Sequence, residues 1–393
     1  MDVVVTGIGL ASALGNLETT WNHLLAGQSG ICLHQPFPEL PPLPLGLMNS
    51  TPARLAPLTR SIVQEALADA GLTLPQATCG VSIGSSRGHQ AEWEDLAWVR
   101  YDGSHGKSLG LSAPTVAPVL ADWLTLLPHG AAVQTAQMLQ TSAPVLSPMA
   151  ACATGIWAIA QGTELIRQGH CQRVLAGAVE APVTPLTLVG FRQMGALAVT
   201  GAYPFDCQRQ GMVLGEGGAI LVLESAELAQ QRQARIYGRI LGIGLSADGY
   251  HVSAPAVERQ AAIAAINHCL RQSHLTPEAI HFIHTHGTAT LRNDYNEAQL
   301  IQHLFPPEVS ILSTKAATGH TIGASGALGV AFCLLALHHQ RLPPCVGLRQ
   351  PEFPLNFVQT AQAAAVHHAL CLSFGFGGQN GAIALGQWPA RTT

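Results

Sequence analysis

Short apolar runs rich in β-branched residues alternate with helical stretches along the whole chain, and this alternation confines it to an α/β fold. Residues 3–6, 81–84, 173–179 and 219–223 read as buried strands, with helices over 59–70, stopped by Gly71, and 155–168, stopped by Gly169. After Ala234 a second set follows: strands near 236–243, 281–285, 310–313, 368–373 and 382–385, separated by helices over 259–272 and 326–338. Each set contains an apolar approach, a reactive residue (Cys152 or His320), a small-residue turn and a long apolar helix. That is the pattern of a duplicated α/β unit, halves 1–228 and 229–393, with a site between them. The proline-rich stretch 36–44 can sustain neither a helix nor a central strand and is expected as an extended surface loop.

Hydrophobic residues make up 48% of the chain, so a large core is assured and disorder is excluded. A net charge of −4 with a pI near 6.5 argues against nucleic-acid binding, which needs a basic face. Only 11% of residues are charged, which implies that part of the surface is buried against a partner. Lys107 and Lys315 are the only lysines, so neither passes as routine surface charge. No uninterrupted apolar run reaches the ~18 residues of a membrane span. The longest candidate, 323–337, reads as a buried helix. The first residues enter a strand without a basic leader, and nine cysteines form no C-x-x-C pair. A reducing, cytoplasmic setting is expected.

Four clusters offer chemistry. In Met149-Ala-Ala-Cys152-Ala-Thr-Gly155 a thiol stands at a helix start, where the macrodipole favours its thiolate and small neighbours admit a substrate carbonyl. A buried structural cysteine is the bland alternative. In His284-Thr-His286-Gly-Thr288-Ala-Thr290, leading to Asp294 and Glu297, a strand ends in a glycine turn with hydroxyls. His284 and His286 share a strand face, but no further ligand has convincing spacing, so no metal is expected and His284 reads as a core histidine. In Ser313-Thr-Lys315-Ala-Ala-Thr-Gly319-His320 a lysine and a histidine stand five apart in a glycine-rich turn; the Gly-Lys-Ser/Thr order of a phosphate loop is missing. In Ser373-Phe374-Gly-Phe376-Gly-Gly378 two aromatics between glycines make a loop able to approach a ligand closely. Gly7-Ile-Gly9 departs from the dinucleotide fingerprint and is discounted.

Taken together, these motifs resemble the β-ketoacyl-[acyl carrier protein] synthases, elongating condensing enzymes of types I and II within the thiolase fold. The opening Val4-Val-Thr-Gly-Ile-Gly9, the central Tyr203-Pro-Phe-Asp206 and Leu214-Gly-Glu-Gly217, and the closing Phe374-Gly-Phe-Gly-Gly378 carry the likeness nearly end to end. The resemblance implies a duplicated five-layer αβαβα architecture, a homodimer, no cofactor, and acyl- and malonyl-loaded acyl carrier protein as partner. It implies Cys152 as the acylated nucleophile, with the N–H groups of Cys152 and Phe376 as oxyanion hole. His286 and His320 would stabilise the enolate, and Lys315 and Glu297 would form a supporting ion pair. Thr288 and Thr290 match the pantetheine contacts, Phe374 belongs to the loop, and Phe376 is its gate.

Two segments depart from the family. The stretch before Gly71, often rich in basic residues that dock the carrier protein, keeps only Arg54 and Arg60, and residues 89–111 match poorly. Other readings compete with this one. A non-catalytic chain-length-factor-like subunit would lack the cysteine, whereas Cys152 is present. A degradative thiolase would need Cys-x-Gly-Gly, whereas Cys371 precedes Leu372 and Ser373. A specialised synthase for polyketide, polyene or glycolipid chains would share the chemistry.

Overall fold

Val3–Ser12 is buried along its entire length, as a strand covered on both faces must be. In the computed structural model, which describes residues 1–101 and 123–388, it lies in the middle of a twelve-stranded sheet. Lys107 and the poorly matching stretch beyond residue 101 lie outside the described residues.

The sheet is one strand order used twice. In the first half it runs Val3–Ser12, Gly217–Ser225, Arg173–Glu180, Gly80–Gly84, Val145–Leu146. The second runs Gly238–Ala247, Gln379–Gly386, His368–Gly375, Phe282–His284, Ser310–Leu312, with Asn356–Phe357 added outside. Pairing directions repeat as well. In each half the first two pairs along this order are antiparallel and the next two are parallel. The halves join where Val3 to Val5 pair with Ile240 to Gly238.

Each half contributes a long central helix, Thr154–Arg167 and Ser325–His339, and each packs against strands of both halves. Enclosure explains their composition. Ser325–His339 is buried continuously from Ser325 to Leu337 and is apolar all round, whereas Gln260–Ser273, on the outside, buries one face. Ile322–His339 is apolar and long enough to cross a membrane by composition, yet 89% of it is buried inside the protein. The central helices cross with backbones nearly touching: a Cβ on Gly155 would lie 2.4 Å from Ala327 N, and one on Gly326 2.9 Å from Ile156 Cγ1. Leu55–Asp69 on one outer face and Gln260–Ser273 on the other complete the αβαβα layering.

Some boundaries differ from the sequence reading for identifiable reasons. The first strand runs on past residue 6 because Gly7 and Gly9 are strand residues over which a helix lies. Cβ atoms there would meet Ala66 O at 2.7 Å and Ile62 O at 2.0 Å. That helix begins at Leu55 and not at 59, since Pro57 falls in its first turn, where an N–H has no intrahelical partner. The proline-rich stretch is not wholly a loop. It closes a two-stranded ribbon, Cys32–His34 against Leu43–Leu45, with Pro44 outside the main sheet.

Candidate active site

The turn before Thr154–Arg167 carries Cys152. Ala151 adopts φ 46°, a left-handed conformation costing a non-glycine residue about 1–2 kcal/mol. Thr154 holds it there: its Oγ1 donates to Ala151 O at 2.7 Å and accepts from Ala150 N at 2.9 Å. Gly375 backs onto the same turn so closely that a Cβ would stand 2.6 Å from Ala150 O and 3.1 Å from Cys152 N. This contact brings the Phe376 N–H close enough to the Cys152 sulfur to favour its thiolate. Ser373 Oγ donates to Cys152 O at 2.9 Å.

Two imidazoles face that sulfur. His286 follows the strand Phe282–His284 and His320 follows the short helix Lys315–Thr318; Cys152 Sγ and one nitrogen of each ring lie within 4.8 Å of one another. The rings stand nearly perpendicular, centroids 5.4 Å apart. His320 Nδ1 pairs with Ser325 Oγ at 2.8 Å and His286 Nδ1 reaches Ser373 Oγ at 3.5 Å. Among the described residues neither Nε2 has a hydrogen-bond partner, and both rings line a cavity of about 450 Å³. Burial, aided by the nearby Lys315 ammonium, holds both histidines well below 6.5, so both are neutral. His284 does not join this group. It is buried, with Nε2 3.0 Å from Thr314 Oγ1 and its ring against Phe332, and is a core histidine.

Lys315 and Glu297 flank His286 but do not touch, so the ion pair expected from the sequence is corrected: among the described residues neither has a salt-bridge partner. Instead they grip opposite ends of one stretch of main chain. The Lys315 ammonium donates to His286 O, while Glu297 accepts from His286 N at 2.6 Å and Gly287 N at 2.8 Å. Burial lowers Lys315, with Glu297 opposing, and pushes Glu297 up to about 7, with the backbone N–H bonds opposing. Gly287 must be glycine: at φ 41°, a Cβ would meet Ser313 Oγ at 2.6 Å. Beyond it, the Thr288 and Thr290 hydroxyls lie 2.8 Å apart on the cavity wall, which Phe374 and Phe376 also line.

Residues 53–229 match the family described as "Beta-ketoacyl synthase, N-terminal domain" and residues 237–349 its C-terminal domain. The chain belongs to the β-ketoacyl synthase family. It is 31% identical to the 3-oxoacyl-[acyl-carrier-protein] synthase 2 of Synechocystis sp., over 97% of both chains. Among solved structures it is similar to the ishigamide ketosynthase/chain length factor, with TM-score 0.90, 29% identity and 99% of both chains covered. It is also similar to a type II polyketide ketosynthase, bound to a hexaketide and in complex with its acyl-carrier protein, with TM-score 0.91 and 26% identity over 98% of this chain and 99% of that one.

Within this β-ketoacyl synthase the resting state of the thiol differs from the sequence expectation. Cys152 sits two residues before the first helical residue, and burial outweighs the Lys315 charge, the Phe376 N–H and the Arg87 charge, pushing the thiol up to about 11. The free enzyme therefore carries a thiol at neutral pH, and a neutral imidazole must take its proton as it attacks. We expect alkylation of Cys152 by iodoacetamide to rise about tenfold per unit between about pH 7 and 9, following the thiolate fraction. Rates already flat above neutrality, read by peptide mass spectrometry, would contradict this.

Three features escaped the sequence reading. Ser325 and Ser373 orient the two histidines, and only their fixed offsets from His320 and Gly375 mark them. The third is a second loop tied to the phenylalanine loop: Asp248 N donates to Gly378 O and Gly377 N to Val252 O, both at 2.9 Å, while Asn380 Nδ2 donates to Asp248 Oδ1 at 2.8 Å. Phe376, 38% exposed, is thus held at its neighbours, with its ring tilted against Phe191 at 6.2 Å.

Proposed function

We propose that the protein is a β-ketoacyl-[acyl carrier protein] synthase, an acyltransferase that extends an acyl chain by decarboxylative Claisen condensation. The observation that carries this reading is the meeting of Cys152, His286 and His320 within 4.8 Å on one cavity wall. Cys152 attacks the acyl thioester, its proton passes to an imidazole, and the N–H groups of Cys152 and Phe376 hold the oxyanion until the carrier sulfur leaves, taking that proton from the imidazolium to depart as a thiol. Malonyl carrier protein then enters. His286 and His320 donate to the thioester oxygen as carbon dioxide departs and the enolate forms. Its carbon attacks the acyl-Cys152 carbonyl, the sulfur is expelled, and a β-ketoacyl thioester leaves with its carrier protein. Lys315 and Glu297 act through the His286 main chain as positioning residues, and Thr288 and Thr290 receive the pantetheine arm.

The chain-length-factor reading is not favoured, since the thiol and both imidazoles are present and assembled. Acyl carrier protein is the partner, as it is of the ketosynthase whose complex this chain resembles. Arg54 is engaged with Asp95 at 2.8 Å, so docking falls to other arginines; Arg259 and Arg292 line the cavity mouth. A homodimer in a cytoplasmic setting completes the reading, supported by the low charge and by nine free cysteines. Sedimentation of a 41.2 kDa monomer at micromolar concentration would exclude the dimer. The test of function is incubation with malonyl carrier protein and a ladder of acyl carrier proteins. β-Ketoacyl products two carbons longer, identified by mass spectrometry, are expected; carbon dioxide release without any condensed product would overturn it.

A further inference from the structure

Among the described residues Arg87 is an unpaired cation, in a chain that has few charges of any kind. Its guanidinium carbon lies 5.4 Å from the centroid of the Phe191 ring, and Phe191 in turn stands 6.2 Å from Phe376. Phe191 belongs to an apolar cluster that also contains Cys152, Met212, Leu214 and Ile322. The side chain of Arg87 is half-buried. The nearby carboxylate is occupied elsewhere. Glu180, fully buried, accepts from Ser85 Oγ at 3.1 Å, from Ser86 N and from Arg87 N at 3.4 Å, so it fixes the Arg87 backbone and leaves the guanidinium free. The cation is close enough to Cys152 to favour the thiolate, though burial dominates there.

A hydrocarbon chain on Cys152 would gain from Phe191, Met212 and Ile322 but would leave that guanidinium without an acceptor and partly stripped of water. An acyl group with an oxygen acceptor would supply the missing partner. We propose that Arg87 is a specificity-determining residue that selects acyl groups bearing a keto or carboxylate oxygen over plain hydrocarbon chains of equal length. This rests on the reading of Cys152 as the acylated thiol.

The test compares acylation of Cys152 by N-acetylcysteamine thioesters in length-matched pairs, levulinoyl against pentanoyl and the adipoyl monothioester against hexanoyl, with adducts located by peptide mass spectrometry. Wild type should favour the oxygenated member by about 10- to 100-fold, the range of a hydrogen bond to a charged group. Arg87→Leu should abolish or invert that preference, and Arg87→Lys should keep its direction. Equal wild-type rates within both pairs, or an unchanged ratio in Arg87→Leu, would overturn the assignment. Should Arg87→Leu fail to fold, the wild-type ratio and Arg87→Lys decide. Adducts on Cys152 without discrimination defeat the Arg87 inference alone; absence of any Cys152 adduct defeats the nucleophile and this inference with it.

Discussion

Cys152→Gln will retain carbon dioxide release from malonyl carrier protein and lose condensation altogether. The groups assigned to the enolate hang on other elements: His286 just after the strand Phe282–His284, Glu297 on the helix Leu291–Leu304, and Lys315 and His320 on the segment after Ser310–Leu312. None of their hydrogen bonds uses the Cys152 side chain, and the link from Ser373 goes to the Cys152 carbonyl, which glutamine keeps. In the wild type, incubation with acyl carrier protein should place one acyl adduct on Cys152 among nine cysteines. Cys371 is the instructive competitor. Cys333 and His284 beside it bring its thiol down to about 6, yet Cys371 and Cys333 are fully buried and line no part of the cavity. Access, not acidity, selects the reactive thiol. An adduct on Cys371 with Cys152 unmodified would refute the nucleophile.

His286→Ala and His320→Ala should each slow decarboxylation by about 10²–10³, the usual loss when one donor to a developing oxyanion is removed. Acylation of Cys152 should fall less, because the thiol needs only one proton acceptor and the remaining neutral imidazole can serve. Lys315→Ala and Glu297→Ala should resemble each other and be non-additive in the double variant, since both hold the His286–Gly287 peptide unit. Carbon dioxide release and acyl-enzyme formation must be measured separately in each variant. Blocked acylation with intact decarboxylation in both histidine variants would make the imidazoles bases for the thiol and not donors to the enolate.

Much of this arrangement is legible in the sequence because each reactive residue closes an apolar run and opens a small-residue turn. Cys152, His286, His320 and the phenylalanine loop can all be picked out on that ground, and the scarcity of lysine singles out Lys315. What Lys315 holds cannot be read, since a bond to the main-chain carbonyl of His286 has no sequence signature. Nor can the protonation of Cys152, which depends on burial by segments as distant as Gly375. The glycines at 7 and 9 resemble a loop because close helix–strand contact and chain reversal use the same residue. Strands as short as Val145–Leu146 and Asn356–Phe357 carry too little pattern to register, and the repeated strand order emerges only from pairing.

The crossing at Gly155 and Gly326 sets how the reactive ends of the two halves are spaced. Where two backbones touch with no side chain between them, the gap is as incompressible as the atoms themselves. The span from thiol to imidazole is therefore gauged by the core as well as by the turns that display these groups. A single methyl group at Gly155 would meet Ala327 N and act as a shim between the helix that follows the thiol and the helix that follows His320.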